Sequence, residues 1–206
     1  MKKNSSLLSR QIGLFFLLNL AMVSLAFSQD SIILDLNIQR LQINKTGMYI
    51  LGGWAVANIA GGAILRSQTT GTTRYFHEMN MFWNFVNLGL AGAGLYGSLK
   101  TDPSGFSAWE SLQEQRTIEK LLLFNAALDI AYITGGAYMI ERSRRVENKP
   151  ERIKGYGQSL ILQGSFLLVF DATLYLIHNQ AANPKLQQLL SHVSFSGDSL
   201  SLVLNF

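Results

Sequence analysis

Four long apolar segments, each bounded by charged residues, constrain this sequence more than any other feature. Each is close to the roughly 20 residues that an α-helix needs to cross a hydrocarbon core, and charged side chains are almost absent from their interiors. A water-soluble four-helix bundle would need polar outer faces on these helices, and such faces are missing. We therefore predict an all-α fold, a polytopic membrane bundle of four transmembrane helices over residues 48–65, 77–99, 121–140 and 159–178.

The amino-terminal end has the pattern of a secretory signal. Lys2, Lys3 and Arg10 precede an apolar run, and small residues lie just before Gln29. An uncleaved anchor helix is the alternative, although the apolar run is short for a membrane span. We predict a signal peptide over residues 1–28, an external segment over 29–47, the transmembrane domain over 48–178 and an external tail over 179–206.

Charge and composition exclude several classes of function. The formal net charge is +4, but without the predicted signal 14 Lys and Arg remain against 13 Asp and Glu. This near balance removes the electrostatic footprint of a nucleic-acid partner. The absence of cysteine excludes disulfides, thiolate metal sites and a cysteine nucleophile, and three histidines are too few for a histidine-rich metal site. We accordingly predict no cofactor, no metal and no catalytic residues.

Basic loops predict the orientation of the spans. Arg66 and Arg74 flank the connection between the first two spans, and six Lys and Arg residues lie between positions 142 and 154. By the positive-inside rule both connections are cytoplasmic. A signal peptide gives the same orientation, because it places the mature amino terminus outside. We predict a bacterial inner-membrane protein, in contact with lipid, whose mature amino terminus and carboxyl terminus are both external.

Small residues recur every four positions in three of the spans. Such stripes let transmembrane helices approach closely, either within one molecule or in an oligomer. We favour the intramolecular interpretation, and leave a homo-oligomer or a membrane-protein partner open. The stripes are Gly53, Ala57 and Gly61; Gly89, Ala93 and Gly97; and Ala127, Ala131 and Gly135.

The connection between the second and third spans and the carboxyl-terminal tail each contain a local pattern that predicts secondary structure. Ser107 and Glu110 match a capping box, which predicts a helix start that continues into the third span. The end of the chain alternates apolar and polar residues, so we predict a short hairpin around Gly197 and Asp198, or a loose tail.

Polar residues inside the spans are the strongest functional signal. In the second span they follow three-four spacing, so they share one helix face that must point inward. An intramembrane polar group is expensive and is by default a candidate functional site. The predicted intramembrane polar network consists of Asn58, His77, Asn80, Asn84, Asn87, Asn125, Asp129, Gln163 and Asp171.

Asp129 and Asp171 are the two carboxyls of that network. Counting the helical rise from the outer ends of their spans places both about 10 to 12 Å below the outer surface, in one layer. Two neighbouring carboxyls would share a proton, as a proton or cation relay requires. The alternative is that protonated Asp and Asn only join helix to helix, at about 0.6 to 2 kcal/mol per contact.

Three motifs carry a family resemblance. They are YFHEMNMFWNFVNLGLAGAGLYG, FNAALDIAYITGGAYM and GYGQSLILQGSFLLVFD. Together they resemble a family of small bacterial four-helix membrane proteins of unknown function. The resemblance implies the fold and a membrane location, and it brings no catalytic role. The matching positions are Asn80, Trp83, Asn84, Asn87, Asn125, Asp129, Gly135, Gly136, Gln163, Gly164 and Asp171.

Three classes of function follow from these observations. The first is a non-enzymatic integral membrane protein, whose Asn/Asp network specifies helix packing and whose outer segments contact a partner. The second is a small-solute, proton or cation pathway that uses Asp129 and Asp171. The third, an enzyme using the same pair for acid-base work, would need a metal or nucleophile that the sequence lacks. A polar cavity at the carboxyl layer would favour the second, and a dry, fully bonded cluster the first.

Overall fold

The computed structural model describes the backbone of residues 2–191, 193–196 and 199–202 and the side-chain surroundings of residues 30–188. Four α-helices dominate this part of the chain: α1 (Lys2–Gln68), α2 (Gly71–Lys100), α3 (Ala108–Arg142) and α4 (Pro150–Ser191). A 3-10 turn, Pro103–Gly105, joins α2 to α3. Two short strands, β1 (Val193–Ser196) and β2 (Ser199–Leu202), pair antiparallel, and the predicted turn residues Gly197 and Asp198 lie outside the described residues.

Three of the four helices are long and apolar enough to cross a membrane, one fewer than predicted. They are the helices that cover residues 30–68, 108–142 and 150–188. The exception is α2, whose buried face carries Asn80, Asn84 and Asn87. These amides lower its overall hydropathy, although its outer face presents apolar side chains such as Phe85 and Leu90, both more than half exposed.

The helices extend well beyond the predicted spans at one end of the bundle. Residues 29–47, which we predicted as an external segment, are part of α1, which is one continuous helix. At the same end, α4 continues past its predicted limit and through Pro184. We call this end, residues 30–47, 108–120 and 179–188, the head region. Its apolar core consists of Leu36, Leu112, Ala182 and Leu186. The helix bounds do not report processing, so signal cleavage stays a prediction.

The start of α3 agrees with the predicted capping box. The Ser107 hydroxyl accepts a hydrogen bond from the backbone N–H of Glu110, and the Glu110 carboxylate accepts one from the backbone N–H of Ser107. This reciprocal arrangement satisfies two N–H groups at the helix start. The helix then continues without interruption into the predicted third span, to Arg142.

The helices pack as two hairpins, α1 against α2 and α3 against α4, which meet mainly through α4. Backbones approach most closely at glycines. A Cβ on Gly136 would lie 2.6 Å from the carbonyl oxygen of Gly157, and one on Gly164 would lie 2.9 Å from that of Asp129. On the other hairpin, a Cβ on Gly62 would lie 2.8 Å from the carbonyl oxygen of His77. These glycines set the distance between neighbouring helices.

The predicted stripes of small residues do not form these close contacts between helices. A Cβ added to Gly53, Gly89 or Gly135 would meet no atom within 4 Å of it. The intramolecular interpretation of the three stripes is therefore wrong, because they lie mainly on the outer faces of α1, α2 and α3. Adjacent positions on a helix point about 100° apart, so the close contact falls on Gly136 while Gly135 faces outward.

The distribution of polar and apolar residues is the reverse of that in a soluble protein. Buried side chains include many amides, hydroxyls and charged groups, whereas Phe82, Val86 and Ile130 are more than half exposed. A soluble monomer rarely exposes so much contiguous apolar surface. The outer surface of this bundle is therefore compatible with a membrane.

Candidate functional site

Except for His77, the residues of the predicted network form two clusters. We call the first the amide cluster. It lies where α1, α2 and α4 meet, and Gln163 is its centre. The Gln163 amide donates to the side-chain oxygens of Asn58 at 3.2 Å and Asn80 at 3.0 Å, and its own oxygen accepts from Trp54 Nε1 at 2.9 Å. Ser159 Oγ donates to the same Asn80 oxygen at 2.5 Å. One fully buried side chain therefore joins three helices.

A ladder of asparagines extends this cluster along α2. Asn84 Nδ2 donates to the backbone oxygen of Asn80 at 2.8 Å, and Asn87 Nδ2 donates to Asn84 Oδ1 at 3.1 Å. All three are buried, as their three-four spacing predicts. The sequence did not identify Trp54 and Ser159 as members, because a tryptophan or serine in an apolar span is unremarkable without its partner.

The second cluster, the carboxyl pair, joins α3 to α4. The carboxyls of Asp129 and Asp171 lie within hydrogen-bonding reach of each other, and the Asn125 side chain is next to Asp171. Both carboxyls are nearly inaccessible, with 2% and 6% of their surface exposed. Gly164 permits this contact, since any Cβ there would press on the Asp129 backbone. An ionised carboxyl only accepts hydrogen bonds, so a bond between two carboxyls requires at least one proton.

A cavity of about 190 Å³ lies beside the carboxyl pair. It is large enough for several water molecules or a small solute. Its polar lining comes from three helices, and apolar residues of α1, α2, α3 and α4 complete the wall. The polar and aromatic lining residues are Trp83, Asn87, Asn125, Asp129, Tyr132 and Asp171.

Two polar atoms beside this cavity have no hydrogen-bond partner among the described residues. They are Trp83 Nε1, a donor, and Asp129 Oδ2, an acceptor. The Trp83 ring packs edge to face on Tyr132, with their centroids 4.8 Å apart. A buried polar group left unbonded costs about 1 to 3 kcal/mol, which favours an additional partner such as a solute or water.

Helices α2 and α3 both line this cavity but do not pack against each other in the described part of the chain. No Cα atoms of these two helices lie within 8 Å of each other in the described part of the chain. Val86 and Leu90, on the rim, are 63% and 60% exposed. Exposed apolar side chains and the two buried carboxyls therefore line the same cavity.

His77 does not join either cluster. It is half-buried at the end of the bundle opposite the head region, where its ring packs against that of Phe76. The adjacent Glu78 forms the polar contacts there instead. It accepts hydrogen bonds from Tyr156 Oη at 2.7 Å and from Arg66 Nε at 2.8 Å. Glu78 is the single acidic residue of α2, and this isolated charge is the sequence signal that could have identified its polar contacts.

A third polar cluster, which the sequence analysis missed, is buried in the head region. His178 Nε2 bonds to Asn44 Oδ1 at 2.9 Å, and Gln115 donates both to the His178 carbonyl and to Glu119. Arg40 is buried near them. Polar residues at Ser111, Gln115 and Glu119 follow the four-residue spacing of one helix face, and that spacing could have revealed the cluster.

Within the described residues, no three His, Asp or Glu side chains converge in a way that could hold a metal ion.

Comparison with known proteins identifies the family. A profile described as Family of unknown function (DUF6992) matches residues 50–172, and this chain belongs to that family. The match confirms the resemblance to a family of unknown function, and it contains both the amide cluster and the carboxyl pair. No curated protein and no solved structure matches the chain.

Proposed function

We propose that this chain is an integral membrane protein whose carboxyl pair, Asp129 and Asp171, binds protons and small cations on a pathway through the bundle. The observation that carries the proposal is the cavity of about 190 Å³ on which both carboxyls lie. The amide cluster has the other role inferred from the sequence, which is to specify helix packing.

The membrane location rests on the surface of the bundle and on the basic loops. Three helices are long and apolar enough to cross a membrane, and the exposed side chains of α2 are apolar as well. We propose that α2 also crosses, because lipid-facing side chains, rather than buried amides, contact the hydrocarbon. With the basic loops cytoplasmic, the head region is external, as in a bacterial inner-membrane protein.

The two clusters differ in how completely they are bonded. At Gln163 the side-chain oxygen and nitrogen both have partners from other helices, as expected of a group that determines packing. At the carboxyl pair, Asp129 Oδ2 and the neighbouring Trp83 Nε1 remain unbonded beside open space. A purely structural contact would not need this space, whereas a binding site does.

The chemistry of the pair is an exchange of a proton for a cation. With one shared proton, the two carboxyls carry a single negative charge. A cation that binds between them stabilises both carboxylates, and the shared proton leaves. Charge is conserved, since one positive charge enters the site and one leaves it. Proton binding and cation binding therefore compete, which is the requirement for coupling their movements.

The cavity walls restrict the solute. Trp83 and Tyr132 place aromatic rings beside the carboxyls, and aromatic faces attract cations. The volume admits a metal cation with some water or a compact organic ammonium ion. Because α2 and α3 line the cavity without packing against each other, a second copy or another membrane protein covering this side would separate the site from lipid.

Proteoliposomes test the pathway directly. Vesicles that contain a pH-sensitive dye are given an inward gradient of sodium, potassium or tetramethylammonium chloride. We expect the lumen to become more alkaline with the parent protein, because protons leave as cations enter. The double variant Asp129→Asn/Asp171→Asn should insert and fold, since Asn keeps the shape and hydrogen bonds of a protonated Asp, but it should show no exchange.

A matched control removes one carboxyl elsewhere. Glu141→Gln lies near the end of α3, outside the predicted span, and should leave exchange unchanged. Infrared spectroscopy of the parent should show a protonated carboxyl band that the double variant lacks. If no cation gradient moves protons with the parent, the pathway is wrong. If the double variant exchanges at the parent rate, the pathway does not use these carboxyls.

A further inference from the structure

A buried arginine in the head region faces a second cavity, separate from the carboxyl pair. Arg40 is only 2% exposed, yet its Nε and Nη1 atoms have no hydrogen-bond partner among the described residues. Its guanidinium lies over the ring of Phe106, 4.9 Å from the centroid. The nearest carboxylate, Glu114, is 3.7 Å from Nη1, too far for a hydrogen bond.

The cavity beside Arg40 has a volume of about 330 Å³. It lies between α1, the end of α2 and the start of α3, and its lining is largely polar. Gly97 leaves room on the α2 side, because a Cβ there would meet no atom within 4 Å. The polar side chains that line it are Arg40, Asn44, Ser98, Thr101 and Glu114.

We propose that this cavity binds an oxyanionic group, which the Arg40 guanidinium holds through its unpartnered N–H groups. A guanidinium presents donors in a planar fork that matches the two oxygens of a carboxylate or phosphate. A buried charge without hydrogen bonds is costly, so an acceptor in the cavity supplies what the protein does not. The Asn44 amide adds a donor, since its oxygen already accepts from His178.

Glu114 competes with the ligand for Arg40. Its side chain is 52% exposed and, among the residues that the structure describes, makes only the long ion pair, so it can turn toward solvent when an anion enters. Ser98 and Thr101 use their hydroxyl protons on backbone oxygens of α2, so they can only accept further hydrogen bonds. The site therefore favours a ligand with an oxyanion at one end and hydrogen-bond donors at the other.

Two sources offer this chemistry, a free anion or the headgroup of an anionic lipid. The experiment uses the full chain in dodecyl maltoside, which carries no charge, with ¹⁵N-labelled arginine side chains observed by NMR. Sodium acetate and sodium phosphate are titrated in one arm, and phosphatidylglycerol in the other. We expect the Nε–H resonance of Arg40, assigned by its loss in Arg40→Lys, to shift as it gains an acceptor.

Two variants and a control test the proposed contacts. Arg40→Lys keeps the charge but loses the fork, and should weaken binding about tenfold. Anion binding to Arg40→Lys is measured by the shift in melting temperature that the anion causes, and this shift is compared with the one that the same anion causes in the parent. Glu114→Gln removes the competing carboxylate and should tighten binding severalfold, whereas Glu147→Gln, with the same change of charge outside the cavity, should not.

The outcomes distinguish the two sources of the ligand and also test the proposal itself. A shift with acetate or phosphate supports a free anion as ligand, and a shift with phosphatidylglycerol alone supports a lipid headgroup. No shift in either arm would overturn the proposal. Equal binding by the parent, Arg40→Lys and Glu114→Gln would also overturn it, because the anion would then bind elsewhere. The cation exchange proposed above does not depend on any of these results.

Discussion

A Cβ atom on Gly136 would lie 2.6 Å from the carbonyl oxygen of Gly157, so α3 and α4 cross there with their backbones in contact. Gly136→Ala should therefore force the helices apart. We expect it to lower the free energy of unfolding by about 1 to 3 kcal/mol, the usual cost of overpacking. Thermal unfolding in detergent, followed by circular dichroism, measures the difference.

The adjacent Gly135 provides the control for this prediction. A Cβ there meets nothing within 4 Å, and alanine is the better helix former by about 1 kcal/mol. Gly135→Ala should leave the melting temperature unchanged or raise it. Equal destabilisation by the two substitutions would mean that helix propensity or lipid contact, rather than the α3–α4 crossing, determines their effect.

The outward-facing stripes lead to a different expectation for Ala93. This residue is exposed on α2, so Ala93→Leu should not disturb the packing of a single molecule. If the stripe is an oligomer contact, the leucine should instead shift the protein toward the monomer in sedimentation or native mass spectrometry. A lower melting temperature in a protein that is already monomeric would restore the intramolecular interpretation.

Periodicity predicted which residues face inward, but not which helix they meet. The three-four spacing of Asn80, Asn84 and Asn87 correctly gives one buried face, because that relation depends on a single helix. Asp129 and Asp171, for which we predicted a similar depth, line the same cavity. Which of two adjacent glycines contacts the neighbouring helix depends on how the two helices are rotated relative to each other. A pattern within one helix does not contain this information.

The head region could not be predicted for a related reason. Arg40 and Glu119 are charged, and in a sequence such residues indicate a solvated surface. Both are nevertheless buried where residues 30–47 of α1 pack against the extensions of α3 and α4. Only the assembled helices show that these segments continue together beyond the predicted spans.

Gln163 offers a test of the packing role of the amide cluster. Gln163→Leu removes its bonds to Trp54, Asn58 and Asn80 and leaves polar atoms of the first two without those partners. We expect a loss of about 1 to 3 kcal/mol in the free energy of unfolding. Gln113→Leu, at an exposed position of α3, is the control and should have little effect on thermal unfolding. Indistinguishable melting curves for the two variants would contradict a structural role for the cluster.

The capping box at the start of α3 predicts a pH dependence. Hydrogen bonds from the Ser107 backbone N–H and hydroxyl hold the pKa of the Glu110 carboxyl below its ordinary value. A lowered pKa in the folded state stabilises the helix start above the ordinary pKa, and this contribution is lost as the pH falls through the lowered pKa. The hydrogen-exchange protection factors at the first turn of α3, which correct for the slower intrinsic exchange in acid, should therefore fall as the pH is lowered. In Ser107→Ala, the protection factors at neutral pH should already be lower, and their further fall in acid should be smaller.

Orientation is the last prediction, and cysteine labelling measures it because the natural chain has no cysteine. Ser67 lies at the end of α1, beside Arg66, and Ser107 begins α3 at the opposite end of the bundle. With the basic loops cytoplasmic, Ser107→Cys should react with a membrane-impermeant maleimide in intact cells, whereas Ser67→Cys should react only after the membrane is opened. Labelling of Ser67→Cys alone in intact cells would reverse the orientation and move the head region to the cytoplasm. Equal labelling of both would contradict a single orientation.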